Sequence, residues 1–160
     1  MGHRELLLTI AALMTFSLTT VTVNRLSMTH ADAIYGQQAE FVALSLAQRF
    51  VEEAKLKAFD ESTINSTVTS PAQLTLSLGA GGAEGYPNVD DVDDFNGLTR
   101  TVTTAIGPME VSVQVNYVDE ADLSLPVAYQ TFYKKLTVRV DTVYLPNLVQ
   151  AQYVFAYKKN

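Results

Sequence analysis

Four aspartates in five positions, Asp90, Asp91, Asp93 and Asp94, with Asn96 close behind, bring together oxygen ligands of the kind a hard cation takes. The spacing does not follow a helix–loop–helix calcium loop. Setting its glycine on Gly97 puts Val92 at the first ligand position and Thr103 at the last. A calcium loop of another kind, on Asp91, Asp93 and Asp94, is the lesser reading. The greater is a solvated turn in which Asn96-Gly97 leads into a strand. The two histidines, His3 and His30, are too far apart on one helix to share a metal. The chain has no cysteine, so thiolate metal sites, disulfides and cysteine nucleophiles are excluded. No Ser-His-Asp arrangement, phosphate loop or dinucleotide fingerprint is present. Six tyrosines (Tyr117, Tyr129, Tyr133, Tyr144, Tyr153 and Tyr157) suit a carbohydrate-binding face, but tyrosine also favours strands, and sheet positions are the simpler reading. No catalytic residues and no cofactor are expected.

Glu5 is the remaining chemical group of note. It stands at the edge of an 18-residue run, Leu6 to Val23, that holds no charge and no glycine. Position 9 is Thr9, so no cation lies one turn on. At the membrane surface this carboxylate can reach water. Buried and unpaired it costs several kcal/mol, so an assembly that buries it demands a cation beside it. The terminal amine of a neighbouring copy, at Met1, is the candidate.

The elements that position these groups follow from periodicity. At about 1.5 Å per residue the apolar run spans a bilayer core of about 30 Å. A cleaved secretory signal, a plain anchor for a periplasmic domain and a filament subunit all begin this way. The filament subunit is the reading favoured here. His3 and Arg4 before the span place the domain outside the cytoplasm. No proline interrupts the first 61 residues, and the helical pattern runs from about Gly2 to Phe59. Its second half has two apolar stripes. Ala39, Ala43, Leu46, Ala47, Phe50, Ala54 and Ala58 form the one expected to pack on a sheet. Phe41, Leu44 and Val51 form one expected to meet other subunits.

After Glu61 the chain is loop-rich, with a short strand expected at Leu74, Leu76 and Leu78 and a flexible break at residues 79–82. Four antiparallel strands then follow from alternation. They are Leu98 to Thr104, Glu110 to Val118, Phe132 to Asp141 and Val149 to Tyr157. A hairpin turn is expected at Ile106-Gly107-Pro108-Met109, and Asp119 to Tyr129 reads as an acidic surface loop. The fold class is α+β: residues 1–25 as a membrane or filament-core helix, 26–61 as its amphipathic continuation, and 62–160 as the globular sheet domain. The residues after Glu61 hold 10 acidic and 6 basic side chains, and so carry −4 of the formal −6. An acidic domain without a basic patch argues against nucleic-acid binding.

A glutamate at the fifth residue, an apolar helix and an amphipathic continuation together resemble type IV pilins and pseudopilins. Leu46-Ala47-Gln48, Glu52-Glu53-Ala54 and Phe59-Asp60-Glu61 are similar to the helix end of minor pilins. Asp93-Asp94-Phe95-Asn96-Gly97, Asn116-Tyr117-Val118-Asp119 and Tyr133-Lys134-Lys135-Leu136-Thr137-Val138 are similar to that group's globular domain. The resemblance implies a pilin-like fold and a homo-oligomeric helical filament built by pilus assembly machinery. Each subunit would be held in the inner membrane and then exported to the cell surface. It also implies a low-copy minor pilin or a secretion pseudopilin as an alternative. An anchored periplasmic ligand-binding module is the alternative of another class.

In that family a prepilin peptidase cuts after a glycine and the new first residue is N-methylated. Met1 as that residue puts Glu5 on the family position, and Leu6, Leu7, Leu8, Ile10, Leu13, Phe16 and Leu18 in the filament core. A cut at Gly2 would leave glutamate third. Either a leader precedes this sequence or the chain is used from Met1. Within the filament, Thr15 to Val23 is expected to unwind, because its β-branched residues are poor helix formers and its hydroxyls can bond freed backbone groups.

Overall fold

The computed structural model describes residues 2–80 and 85–158. The chain is α+β, with a long N-terminal helix packed on a five-stranded antiparallel sheet. It divides into two compact units, Met1–Gln38 and Ala39–Asn160. Helix α1, His3–Lys55, contributes to both.

In the first unit α1 is helical throughout. Gly2 N–H donates to Glu5 Oε2 at 3.3 Å, which satisfies one of the open amides of the first turn. The hydroxyls of Thr19, Thr20 and Thr22 each donate to the carbonyl four residues back, at 2.8 Å. In the single chain these hydroxyls back-bond a closed helix. The expected unwinding concerns the filament.

The second unit holds the core. Ala39, Ala43, Leu46, Ala47, Phe50 and Ala54 of α1 are all buried. Most of them join Val111, Val113, Val115, Leu136, Val138 and Val140 of the sheet in one cluster. Alanine at the contact lets the helix approach the sheet closely, and Phe50 fills the remaining space. Val51 belongs to this core as well, at 7% exposure, and not to the outward stripe expected for it. Phe41 (73%) and Leu44 (40%) do face out.

The helix stops at Lys55, short of Phe59. The amides of Leu56 and Lys57 turn back to Glu53 and Ala54 in a tightened last turn. The backbone of Ala58 then pairs with a second segment. Its amide donates to Asp90 O, and Val92 N–H donates to Ala58 O, both at 3.0 Å. Asp60 caps the short helix α2, Glu61–Ile64. No strand forms at Leu74 to Leu78. Thr75 N–H is taken by Asp60, and its carbonyl by the Tyr117 hydroxyl at 2.6 Å, so side chains replace a ladder there.

The strands are β1 (Thr99–Thr103), β2 (Pro108–Asp119), β3 (Asp122–Val127), β4 (Tyr133–Asp141) and β5 (Val149–Ala156). Their order is β1-β2-β4-β5, and β3 also pairs with β2. One edge of β2 pairs with β4. The other edge is shared, with β1 along Pro108–Ser112 and β3 along Tyr117–Asp119. Between them Gly97 and Leu98 bond both sides of Val113, and Asn96 Oδ1 accepts from Val115 N at 2.9 Å. Gly97 sits at φ +82°, where a side chain is strained.

Two expectations change here. The acidic connection after Asp119 holds strand β3, because the far end of β2 offers an edge that β1 does not reach. The first hairpin turns over Thr104–Gly107, with Pro108 already in β2. Gly107 lies against the Tyr144 ring, which a Cβ would meet at 2.7 Å.

Candidate functional site

Two places stand out among the described residues, one in each unit. In the first, Leu6, Leu7, Leu8, Ile10, Leu13, Phe16 and Leu18 project around α1 with exposures from 41% to 73%. Such a surface is stable only against lipid or other apolar helices. By length and composition α1 can cross a membrane, and it is the one helix among the described residues that can. Met1, the expected source of the amine for Glu5, lies outside the described residues.

The second place is a buried ion cluster. Lys134 occupies an inward position of β4, two residues before Leu136, and is fully buried. Its ammonium has three protons and three acceptors. These are Phe59 O at 2.9 Å, Asp60 Oδ2 at 2.7 Å, and Asp93 Oδ1 in a short contact. Rings wall the site, with the Phe59 and Tyr117 centroids 4.7 and 5.3 Å from Nζ. Asp60 also accepts from Ser62 N and from Thr75 N and Oγ1, and the Tyr117 hydroxyl, whose proton goes to Thr75 O, lies 3.3 Å from it. One ammonium therefore ties three separate segments together: the chain leaving α1, the Asp93–Phe95 turn and β4.

The electrostatics follow from that packing. Burial opposes the charge on Asp60, yet the Lys134 bond and charge and the Ser62 and Thr75 amides hold its carboxyl below the usual range. Burial dominates at Asp93 and pushes its carboxyl up, with Lys134 acting against it. Burial and the neighbouring Asp93 charge push Asp91 up to about 7. Burial also drives the Tyr117 hydroxyl well above its ordinary value, so it is a donor at any working pH.

Three of the four aspartates are thus not in a solvated turn, and Asp90 alone of them is exposed. Asp91 and Asp93 are each 3% exposed and Asp94 8%. Nor do they converge as a calcium shell. Asp93 faces Lys134, Asp91 Oδ1 accepts from Asp94 N, and Asp94 Oδ2 accepts from Asp90 N, both at 3.1 Å. An ammonium and backbone amides take the places an ion would need. A different trio, Glu61, Asp90 and Asp91, brings carboxylate oxygens within 4.8 Å of one another. Nothing else among the described residues singles it out for a ligand.

The tyrosines lie in separate places, and Tyr129, Tyr144 and Tyr153 are exposed. Tyr157 receives the Val68 amide, Tyr129 donates to Asp119, and Tyr117 is buried. The residue that sequence reasoning missed is Lys134. The inward run Leu136, Val138, Val140, extended back by one step of alternation, lands on it. No family model, curated protein or solved structure matches the chain.

Proposed function

We propose that this chain is a structural subunit of an extracellular type IV pilus-like filament. Its N-terminal helix waits in the inner membrane. Pilus assembly machinery then extracts it into a helical homopolymer, with the apolar halves of α1 at the centre and the sheet domains outside. One observation carries this reading: α1 has an exposed apolar half fused without a break to a half that is buried in its own domain. A plain anchor needs no such continuity, whereas a polymer uses it to hold each domain at a fixed place along a shared core. The residue pattern around Glu5 supports the same reading.

The test is electron microscopy of filaments sheared from cells, with mass spectrometry of the fibres. A continuous fibre made mainly of this chain is the expected result. Retention of the whole chain in the membrane fraction, with no fibre containing it, would contradict the proposal.

A further inference from the structure

The ion cluster in the sheet domain is also a set of reactants. Lys134 supplies a primary amine, held against two carboxyl groups in a site closed to water. We propose that Lys134 and Asp93 condense to an intramolecular amide, an isopeptide bond, with Asp60 carrying the proton.

The two carboxyls are not equivalent. Asp60 is gripped by the Ser62 and Thr75 amides and the Thr75 hydroxyl. Those donors stabilise it as an anion, which makes it a poor electrophile and a good proton acceptor. Asp93 bonds to the amine, and its burial and the nearby Asp60 charge push its carboxyl toward the neutral, electrophilic acid, against the pull of Lys134.

The step balances without a co-reactant. Asp60 Oδ2, at 2.7 Å, relays a proton from Lys134 to Asp93, which leaves an amine with a free lone pair beside a neutral acid. The nitrogen attacks Asp93 Cγ, and a C–N bond forms as the carbonyl electron pair moves to oxygen. Asp60 takes a second nitrogen proton and passes it to the departing hydroxyl. The C–O bond breaks and water leaves. Of the three ammonium protons, one stays on the amide and two leave in the water. The Lys134 and Asp93 charges cancel, and Asp60 ends as it began.

Two effects drive a reaction that water would reverse. Fixed contact acts as an effective concentration of about 10⁵–10⁸ M. Condensation also replaces two buried ions, each costly to desolvate, with one neutral amide, and leaves the Asp60 charge to the Ser62 and Thr75 donors. The bond would join the Asp93–Phe95 turn to β4, a cross-link that disulfides cannot supply in a chain with no cysteine.

Intact-mass spectrometry of the full chain, purified from cells in detergent, tests this. The expected wild-type mass is one water below that of the sequence. Digestion should yield a branched peptide joining Lys134 to Asp93. Lys134→Met and Asp60→Asn should each restore the full mass. A wild-type chain of full mass overturns the proposal, as does a missing water that maps to a linear peptide or to Asp60. Should Asp60→Asn fail to fold, the wild-type mass and branch point decide alone.

Discussion

Helix α1 lives two lives. Up to Gln38 its leucines, Ile10 and Phe16 point outward, and no other described residue of the first unit covers them. From Ala39 to Lys55 the same helix buries an alanine-rich stripe and Phe50 against the sheet. The backbone bonding is alike in both, so secondary structure does not separate them. The difference lies in where each apolar surface finds its partner. The second half has one inside the chain. Each large apolar side chain of the first half forgoes about 1.5–3 kcal/mol until a partner arrives from outside.

Substitutions that act on one half and spare the other sharpen this contrast. Lys134→Met should have the largest effect, because it leaves the Asp60 and Asp93 carboxyls buried without the nitrogen that joins them, whether as ammonium or as amide. A loss of about 3–5 kcal/mol is expected, a large part of an ordinary domain's stability. Melting of the full chain in detergent measures it, and a loss under about 1 kcal/mol would remove the cluster from the account.

Next comes a pair on one helix. Phe50→Ala should cost about 3 kcal/mol, and Phe41→Ala no more than about 0.5. Equal costs would mean that the outward stripe is already covered within the single chain.

A smaller effect is expected from Asp91. Its raised carboxyl keeps a proton in the folded state that the unfolded chain has released. Its contribution is therefore full below about pH 4 and lost as pH rises to about 7. Asp60, held low, acts the other way, and its contribution is lost as pH falls below about 4. Melting curves at stepped pH should show stability declining between those limits, and Asp91→Asn should flatten the decline. Burial, the main cause at Asp91, is unaffected by an amide at Asp93. A decline unchanged in the variant would assign it to another group. Glu5→Ala should leave the melting curve where it was, yet reduce or abolish filament yield. Normal yield would remove the proposed pairing with a neighbour's amine.

Much of the fold was legible because it rests on local period. The helix, its buried stripe and four of the strands follow from spacing alone. What stayed hidden depends on distant partners. β3 carries Pro126 and little buried surface, and it exists because β2 extends past β1. α1 ends early because Ala58 is captured by residues far along the chain. Asp93 looked solvated because its cation lies on β4, beyond any local window. The alternation of β4 did place Lys134 inward, but a lysine among valines has no meaning until its carboxylates are known. Polar clusters assembled from separate segments are the least readable part of such a chain.

The central claim is that the first half of α1 is completed by other copies of the same helix. The chain has no cysteine, so one introduced at Leu13, itself 67% exposed, is a unique reporter. Leu13→Cys, treated in intact cells and on sheared material with a short thiol-to-thiol cross-linker, should give covalent pairs of the chain. These pairs are expected in the filament fraction, and are lost when Glu5→Ala is added. Filaments that contain the chain but yield only its uncross-linked form would contradict it.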